Sequence, residues 1–278
     1  MIHQPIAALN ASQTGFRRIP GPVPRDYYYH VSAGVRTDSP VIVSVHGVSM
    51  NAAEHMLRLR GVAEANDAVV IAPHFRRKAY RRYQQLQHAR TGVRADLALI
   101  DMLADLRARL GLMDGQIHLT GFSGGAQFAH RFALYHADLV ASCVSCAAGW
   151  YTFPDVLAAY PLGMAPGSGP DGMSVHPAWR AVRHHVLIGS RDTAVDGVLN
   201  MTGPVVDLQG IGRHERARRW VEAMNLVLAQ SGAEVPRVDC TVLRGLSHDF
   251  SRAHERHNLA DYIARAMGLA EPRSLDHV

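Results

Sequence analysis

Apolar residues along the chain alternate between short runs with the period of a strand and longer stretches with the period of a helix. Strands are expected at Tyr27 to Val31, Val41 to Val45, Ala68 to Ala72, Gln116 to Thr120, Leu139 to Ala147, His185 to Gly189 and Arg237 to Leu243. Helices are expected from about Ala52 to Ala65, Val93 to Leu110, Ala126 to about His136, Arg213 to Gln230 and Arg252 to Met267. In the second of these, Leu97, Ile100, Leu103 and Leu110 mark the face expected to cover a sheet. Strands alternating with helices predict an α/β fold, a mainly parallel sheet with helices on both faces. No repeat or linker divides the chain, so residues 1–278 read as a single domain, with 1–20 and 270–278 peripheral.

One long segment breaks the pattern. Residues 150–180 carry five prolines between Trp150 and Pro177 and no clear helical or strand period. Irregular segments of this length in a compact domain are surface insertions or lids over a site. The expectation here is a short cap insertion, whose role depends on where the reactive residues fall.

Composition narrows the class. With 278 residues, 47% hydrophobic and 19% charged, the chain suits one ordinary core. Its longest apolar run is five residues, well short of the ~18 that a membrane helix needs. Arg17 and Arg18 follow a weak apolar patch instead of preceding a long one, so the opening does not read as a secretory signal. Three cysteines, Cys143, Cys146 and Cys240, make no disulfide framework, and a cytoplasmic protein is expected. The net charge of +5 comes almost wholly from arginine, Lys78 being the single lysine. Spread over the chain it gives only a mild field, which calls for neither a nucleic-acid nor a membrane partner. It does concentrate once, in Arg76-Arg77-Lys78-Ala79-Tyr80-Arg81-Arg82-Tyr83, five cations without an acid. That run is a solvated loop and helix start, or else a contact for an acidic partner or an anionic substrate group.

The sharpest chemical signal is Gly121-Phe122-Ser123-Gly124-Gly125, a G-x-S-x-G pattern between a predicted strand and a predicted helix. A serine at such a turn is exposed at a sheet edge, and a Cβ at either flanking glycine would collide with neighbouring backbone. The helix N-terminus behind it favours negative charge developing nearby. A serine hydroxyl is a weak nucleophile and needs a histidine base held by a carboxylate. Downstream, the strand His185 to Gly189 runs into Ser190-Arg191-Asp192-Thr193, and the last strand into Gly245-Leu246-Ser247-His248-Asp249. Both loops lie at the carboxyl edge, where open α/β sheets build their sites. Among the histidines after Asp192, His248 alone falls in a strand-to-helix loop. Asp196 and Asp207 compete with Asp192 for the acid.

GFSGG, the HGV after a buried strand, GSRDT after another and GLSHDF near the C-terminus together resemble the α/β-hydrolase superfamily, from about Tyr27 to Met267. The resemblance implies the α/β-hydrolase fold, with Ser123 as nucleophile, Asp192 as acid and His248 as base, acting on a small-molecule ester without metal or cofactor. Leu208-Gln209-Gly210, with Arg213 and Glu215-Arg216 following, is similar to esterases of the polyhydroxyalkanoate-depolymerase and feruloyl-esterase type. The backbone N–H groups of Val48 and Gly124 are the expected oxyanion donors, with His46 a hydrogen-bonded structural residue beside them. Met50, Trp150 and Tyr151 are candidates to line the substrate pocket, the last two being equally suited to core packing. Short or medium acyl chains are expected.

Other patterns lack context. Gly167 to Gly172 spells G-x-G-x-x-G but follows no strand, and Pro170 removes an N–H from the loop. Cys143 and Cys146 lie three apart in an apolar strand, suited to core packing. His254 and His257 share a helix face without an apparent third metal ligand.

Overall fold

The computed structural model describes residues 11–88, 90–231 and 237–271. Eight strands form one sheet in these residues: β1 (Gln13–Ile19), β2 (Arg25–Val31), β3 (Val41–Val45), β4 (Val69–Pro73), β5 (Ile117–Phe122), β6 (Val140–Cys146), β7 (Arg183–Gly189) and β8 (Asp239–Leu243). Their spatial order is β1-β2-β4-β3-β5-β6-β7-β8, antiparallel over β1, β2 and β4 and parallel from β4 to β8. β3 and β4 are buried at every position, as strands covered on both faces must be.

Helices α1 (Ala52–Arg58), α2 (Arg60–Ala65), α3 (Ala95–Leu110), α4 (Gly124–Tyr135), α5 (Gly203–Gln209), α6 (Arg213–Gln230), α7 (Phe250–His257) and α8 (Leu259–Met267) complete the fold. The chain steps one way along the sheet from β3 to β4 and the opposite way from β4 to β5 and onward. Because parallel crossovers are right-handed, α1 and α2 cover one face, and α3, α4 and α6 the other. α8 returns to α2 and β6 on the first face. The reversal makes β3 and β5 the topological switch point of the sheet, and the carboxyl ends of strands at such a point are the usual position for a ligand.

Several expectations need correction. Residues 13–19 are not merely peripheral but form the edge strand β1, paired with β2 along its whole length. Residues 1–10 and 272–278 lie outside the described residues. The helix expected over Ala52 to Ala65 breaks at Leu59, and the one over Arg252 to Met267 starts at Phe250 and breaks at Asn258, which adopts the left-handed conformation that asparagine tolerates. The buried stripe of α3 is Ala95, Ala98, Leu99, Met102, Leu103 and Leu106, while Leu97 faces outward at 44% exposure. Helix α5 has no expected counterpart. Residues 150–180 contain only two short 3-10 turns, Pro170–Gly172 and Pro177–Ala181. Among the described residues no helix is long and apolar enough to cross a membrane.

Candidate active site

Ser123 sits between β5 and α4 with φ 54° and ψ −112°, a backbone conformation that non-glycine residues adopt at a cost of order 1–3 kcal/mol. The turn is held from three sides. Ser123 N–H donates to the Cys146 carbonyl at 2.8 Å, and the Ser123 carbonyl accepts from Gln127 N–H at 3.1 Å. Gly125 lies so close to β3 that a Cβ there would overlap the Val45 and His46 carbonyls, and a Cβ on Gly121 would overlap the backbone of Gly125. The two glycines let strand and helix close over the turn, and the turn presents the serine at the sheet's carboxyl edge.

Two further strand ends converge on it. Ser190 N–H donates to the Leu243 carbonyl at 3.0 Å, Arg191 N–H to the Leu246 carbonyl at 2.9 Å, and Gly245 N–H to Ser190 Oγ at 2.9 Å. These bonds lock the loop after β7 to the loop after β8. His248 Nδ1 then lies 2.7 Å from Asp192 Oδ2, and His248 Nε2 lies 2.9 Å from Ser123 Oγ. In the tautomer with its hydrogen on Nδ1, that N–H donates to the Asp192 carboxyl oxygen and Nε2 accepts from the Ser123 hydroxyl. Ser123 and Asp192 are buried, and Phe122 covers one side of the imidazole at 5.1 Å between ring centres. Such an arrangement can deprotonate the serine during attack on a carbonyl carbon.

The alternatives are engaged elsewhere. Asp196 pairs with Arg213 at 2.8 Å, Asp207 is exposed on α5, and Asp249 caps α7 by accepting from Arg252 N–H at 2.9 Å.

Gly47 lies beside Ser123: a Cβ on it would stand 3.5 Å from Ser123 Cβ and 3.4 Å from the Phe122 carbonyl oxygen. The next N–H, that of Val48, and the N–H of Gly124 at the first turn of α4 donate to no protein acceptor among the described residues. Behind them the His46 ring is fully buried. Its Nδ1 donates to the Gly47 carbonyl at 2.7 Å, its Nε2 accepts from Phe75 N–H at 3.0 Å, and burial pushes it down to about 4, so it stays neutral. Met50 follows, half-buried, its sulfur accepting from Arg77 N–H at 3.2 Å.

Trp150 and Tyr151 separate. Trp150 stacks on the Arg131 guanidinium at 4.2 Å and adjoins Gly149, which approaches Gln127 one turn beyond the serine. Tyr151 has no exposed surface and stacks on Trp220 at 4.8 Å. It belongs to the core. Cys143 and Cys146 are buried in β6, and Cys240 is exposed; all three are free.

Three residues that the sequence reading named without a role at the site lie near it. Tyr83 donates from its hydroxyl to the His46 carbonyl at 2.7 Å and so fixes the loop after β3. Arg213 and Arg216 lie on the core face of α6, with Ala217, Trp220, Met224 and Leu228. That spacing was a usable signal: arginines on an apolar stripe are buried cations in search of partners.

No protein-family model and no curated protein sequence matches the chain. Solved structures do. Poly(aspartic acid) hydrolase-1 from Sphingomonas sp. KT-1 aligns at a TM-score of 0.72 and 20% identity over 85% of this chain and 93% of its own. A poly(3-hydroxybutyrate) depolymerase from Bordetella parapertussis aligns at 0.71 and 23% over 93% of this chain and 95% of its own. A ferulic acid esterase aligns at 0.59 and 15% over 92% and 98%. At these identities the likeness is one of fold, and together with the strand order and the serine turn it establishes that this chain has the α/β-hydrolase fold.

Proposed function

We propose that the protein is a serine hydrolase that cleaves a carboxylic ester through an acyl-enzyme. The observation that supports this reading is the continuous chain from Asp192 through His248 to Ser123, with both hydrogen bonds under 3 Å, at a strained strand-to-helix turn. Ser123 Oγ attacks the carbonyl carbon as its proton passes to His248 Nε2. The oxyanion is held by the Val48 and Gly124 N–H groups, each worth ~2.7 to 4 kcal/mol of transition-state stabilisation. Collapse breaks the ester bond, and the alkoxide leaves with the proton from His248. Water then attacks the acyl carbon by the reverse route and frees Ser123. Asp192 orients the imidazole and stabilises its charged form.

Residues 150–180 act in this reading as a short cap. Without a long apolar lid helix, it suits short or medium acyl chains. Three free cysteines suit a reducing compartment such as the cytoplasm. The same machinery cleaves amides, and the poly(aspartic acid) hydrolase among the similar structures gives that second reading a specific precedent.

The test is hydrolysis of p-nitrophenyl esters from acetate to palmitate by wild type and Ser123→Ala. Turnover by the wild type that vanishes in a folded mutant supports the serine mechanism. Full turnover by the mutant overturns it, and faster palmitate than butyrate hydrolysis overturns the chain-length expectation.

A further inference from the structure

The basic run 76–83 is seated on the candidate site. Arg77 N–H donates to the sulfur of Met50, and the Tyr83 hydroxyl that holds the His46 carbonyl is also the nearest atom to where a Cβ on Gly124 would stand. The run therefore borders both the loop carrying the Val48 N–H and the residue after Ser123. Of its five cations, Arg76 pairs with Asp26 at 2.6 Å. Arg77, Lys78, Arg81 and Arg82 are exposed and pair with no carboxylate among the described residues. Tyr80 and Tyr83, interleaved with them, are buried at 2% and 6% exposure.

The interior repeats the sign. Arg131, two turns beyond Ser123 on α4, is fully buried and bonds only to neutral acceptors: Thr152 Oγ1 at 3.0 Å, the Gln84 carbonyl at 2.6 Å and Gln127 Oε1 at 3.4 Å. One guanidinium nitrogen, Nη2, has no partner. Burial pushes Arg131 down to about 10, which leaves it charged at neutral pH. Arg216 is equally buried and also held by carbonyls, those of Gly210 at 2.8 Å and Gly149 at 2.9 Å. Gly149 and Trp150 thus lie between two buried cations, neither in an ion pair with a carboxylate among the described residues, although the Glu215 charge acts on Arg216 from a distance. A buried charge without a counter-ion is expensive, and an arriving anion offsets part of that cost. Low-dielectric walls also focus such a field into a crevice.

Building on the serine-hydrolase reading, we propose that the substrate carries one or more carboxylate groups beyond the scissile bond, held by Arg77, Lys78, Arg81 and Arg82 at the rim. The same surface suits a nucleic acid poorly, because its tyrosines are buried and offer bases no stacking platform. It suits a membrane poorly as well, because the run exposes no large apolar side chain.

The experiment compares p-nitrophenyl half-esters of succinic, adipic and suberic acid with neutral p-nitrophenyl esters of matched length, at about 20 mM and about 300 mM salt. At low salt at least one half-ester should exceed its neutral match in kcat/KM by roughly tenfold or more, mainly through KM, and high salt should erase most of the difference. Changing Arg77, Lys78, Arg81 and Arg82 together to glutamine should bring the ratio towards one. A wild-type ratio at or below one for all three half-esters overturns the proposal. Calorimetric binding of the corresponding ethyl half-esters to Ser123→Ala reads the anion site without turnover. Tighter binding than the neutral esters, without hydrolysis of any ester by wild type, would sink the serine-hydrolase reading alone, and equal binding would sink the anion site alone.

Discussion

A guanidinium nitrogen of Arg213 lies 3.6 Å from Asp192 Oδ1, and both side chains are excluded from water. Oδ2 of the same carboxylate carries the bond to His248, while Oδ1 has no hydrogen-bond partner. Arg213 also grips Asp196 at 2.8 Å and the Ala194 carbonyl at 3.2 Å. One buried cation therefore fixes the whole loop that presents Asp192. Arg213→Gln is expected to lower stability by about 3 to 5 kcal/mol, as breaking a buried pair does. On p-nitrophenyl butyrate kcat should fall by roughly tenfold, about 1.4 kcal/mol of barrier, while KM holds, since in the proposed mechanism Arg213 acts through Asp192. Arg213→Lys should recover part of kcat. Unchanged kcat in a folded Arg213→Gln protein would remove the positioning role.

Gly125 tolerates no side chain. A Cβ there would overlap two carbonyls of the neighbouring chain segment, neither of which can yield without moving β3. Gly125→Ala is expected to lower stability by about 3 kcal/mol or more and to abolish activity in whatever protein still folds. Thermal unfolding of the purified variant checks this.

Tyr83→Phe leaves the His46 carbonyl without its donor inside the protein. The expected loss is about 1 to 3 kcal/mol of stability, with a several-fold fall in kcat from a looser Val48 N–H. Wild-type kcat in this variant would show that the loop after β3 holds its shape without the tyrosine.

Buried histidines are expected to weaken the protein below about pH 6.5. Burial pushes His46 and His184 down from 6.5 to about 4 and His254 to about 3, and it lowers His55 and His130 strongly. As pH falls through about 6.5 the unfolded chain protonates these rings while the folded protein keeps them neutral. The unfolded state then binds more protons, so stability falls between about pH 6.5 and 4, by about 1.4 kcal/mol per pH unit for each histidine. Urea midpoints from pH 7.5 to 5 should show the decline. His184, whose two ring nitrogens both lack partners, offers the cleanest control. His184→Phe should flatten the dependence by about one histidine's share without weakening the protein at pH 7.5, and an unchanged slope would exclude His184 from the effect.

Local chemistry along the chain was enough for the parallel strands, because buried runs such as Val41 to Val45 and Ala68 to Ala72 sit between turn residues and fit nothing else. It also placed Ser123, Asp192 and His248 at strand ends along the carboxyl edge, but it left Asp196 and Asp207 as rivals to Asp192, and only the fold brings Asp192 Oδ2 to His248 while Asp196 turns to Arg213. Edge strand β1 escaped notice because none of its positions is buried, and its alternation of exposed and half-buried residues falls on polar and apolar side chains alike. The outward turn of Leu97 and the inward turn of Tyr151 escaped it too, because one apolar residue serves a surface or a core equally well until its neighbours are known.

Partnership was the part that belonged to the tertiary structure alone. The ion pair between Arg213 and Asp192, the bond from Tyr83 to His46, and the seating of the basic run on Met50 join residues separated by 21, 37 and 27 positions. Periodicity reports which face of an element meets the core, but it carries no information about which distant element that face meets. A buried arginine is stable only beside specific acceptors, and only the folded backbone decides which acceptors those are.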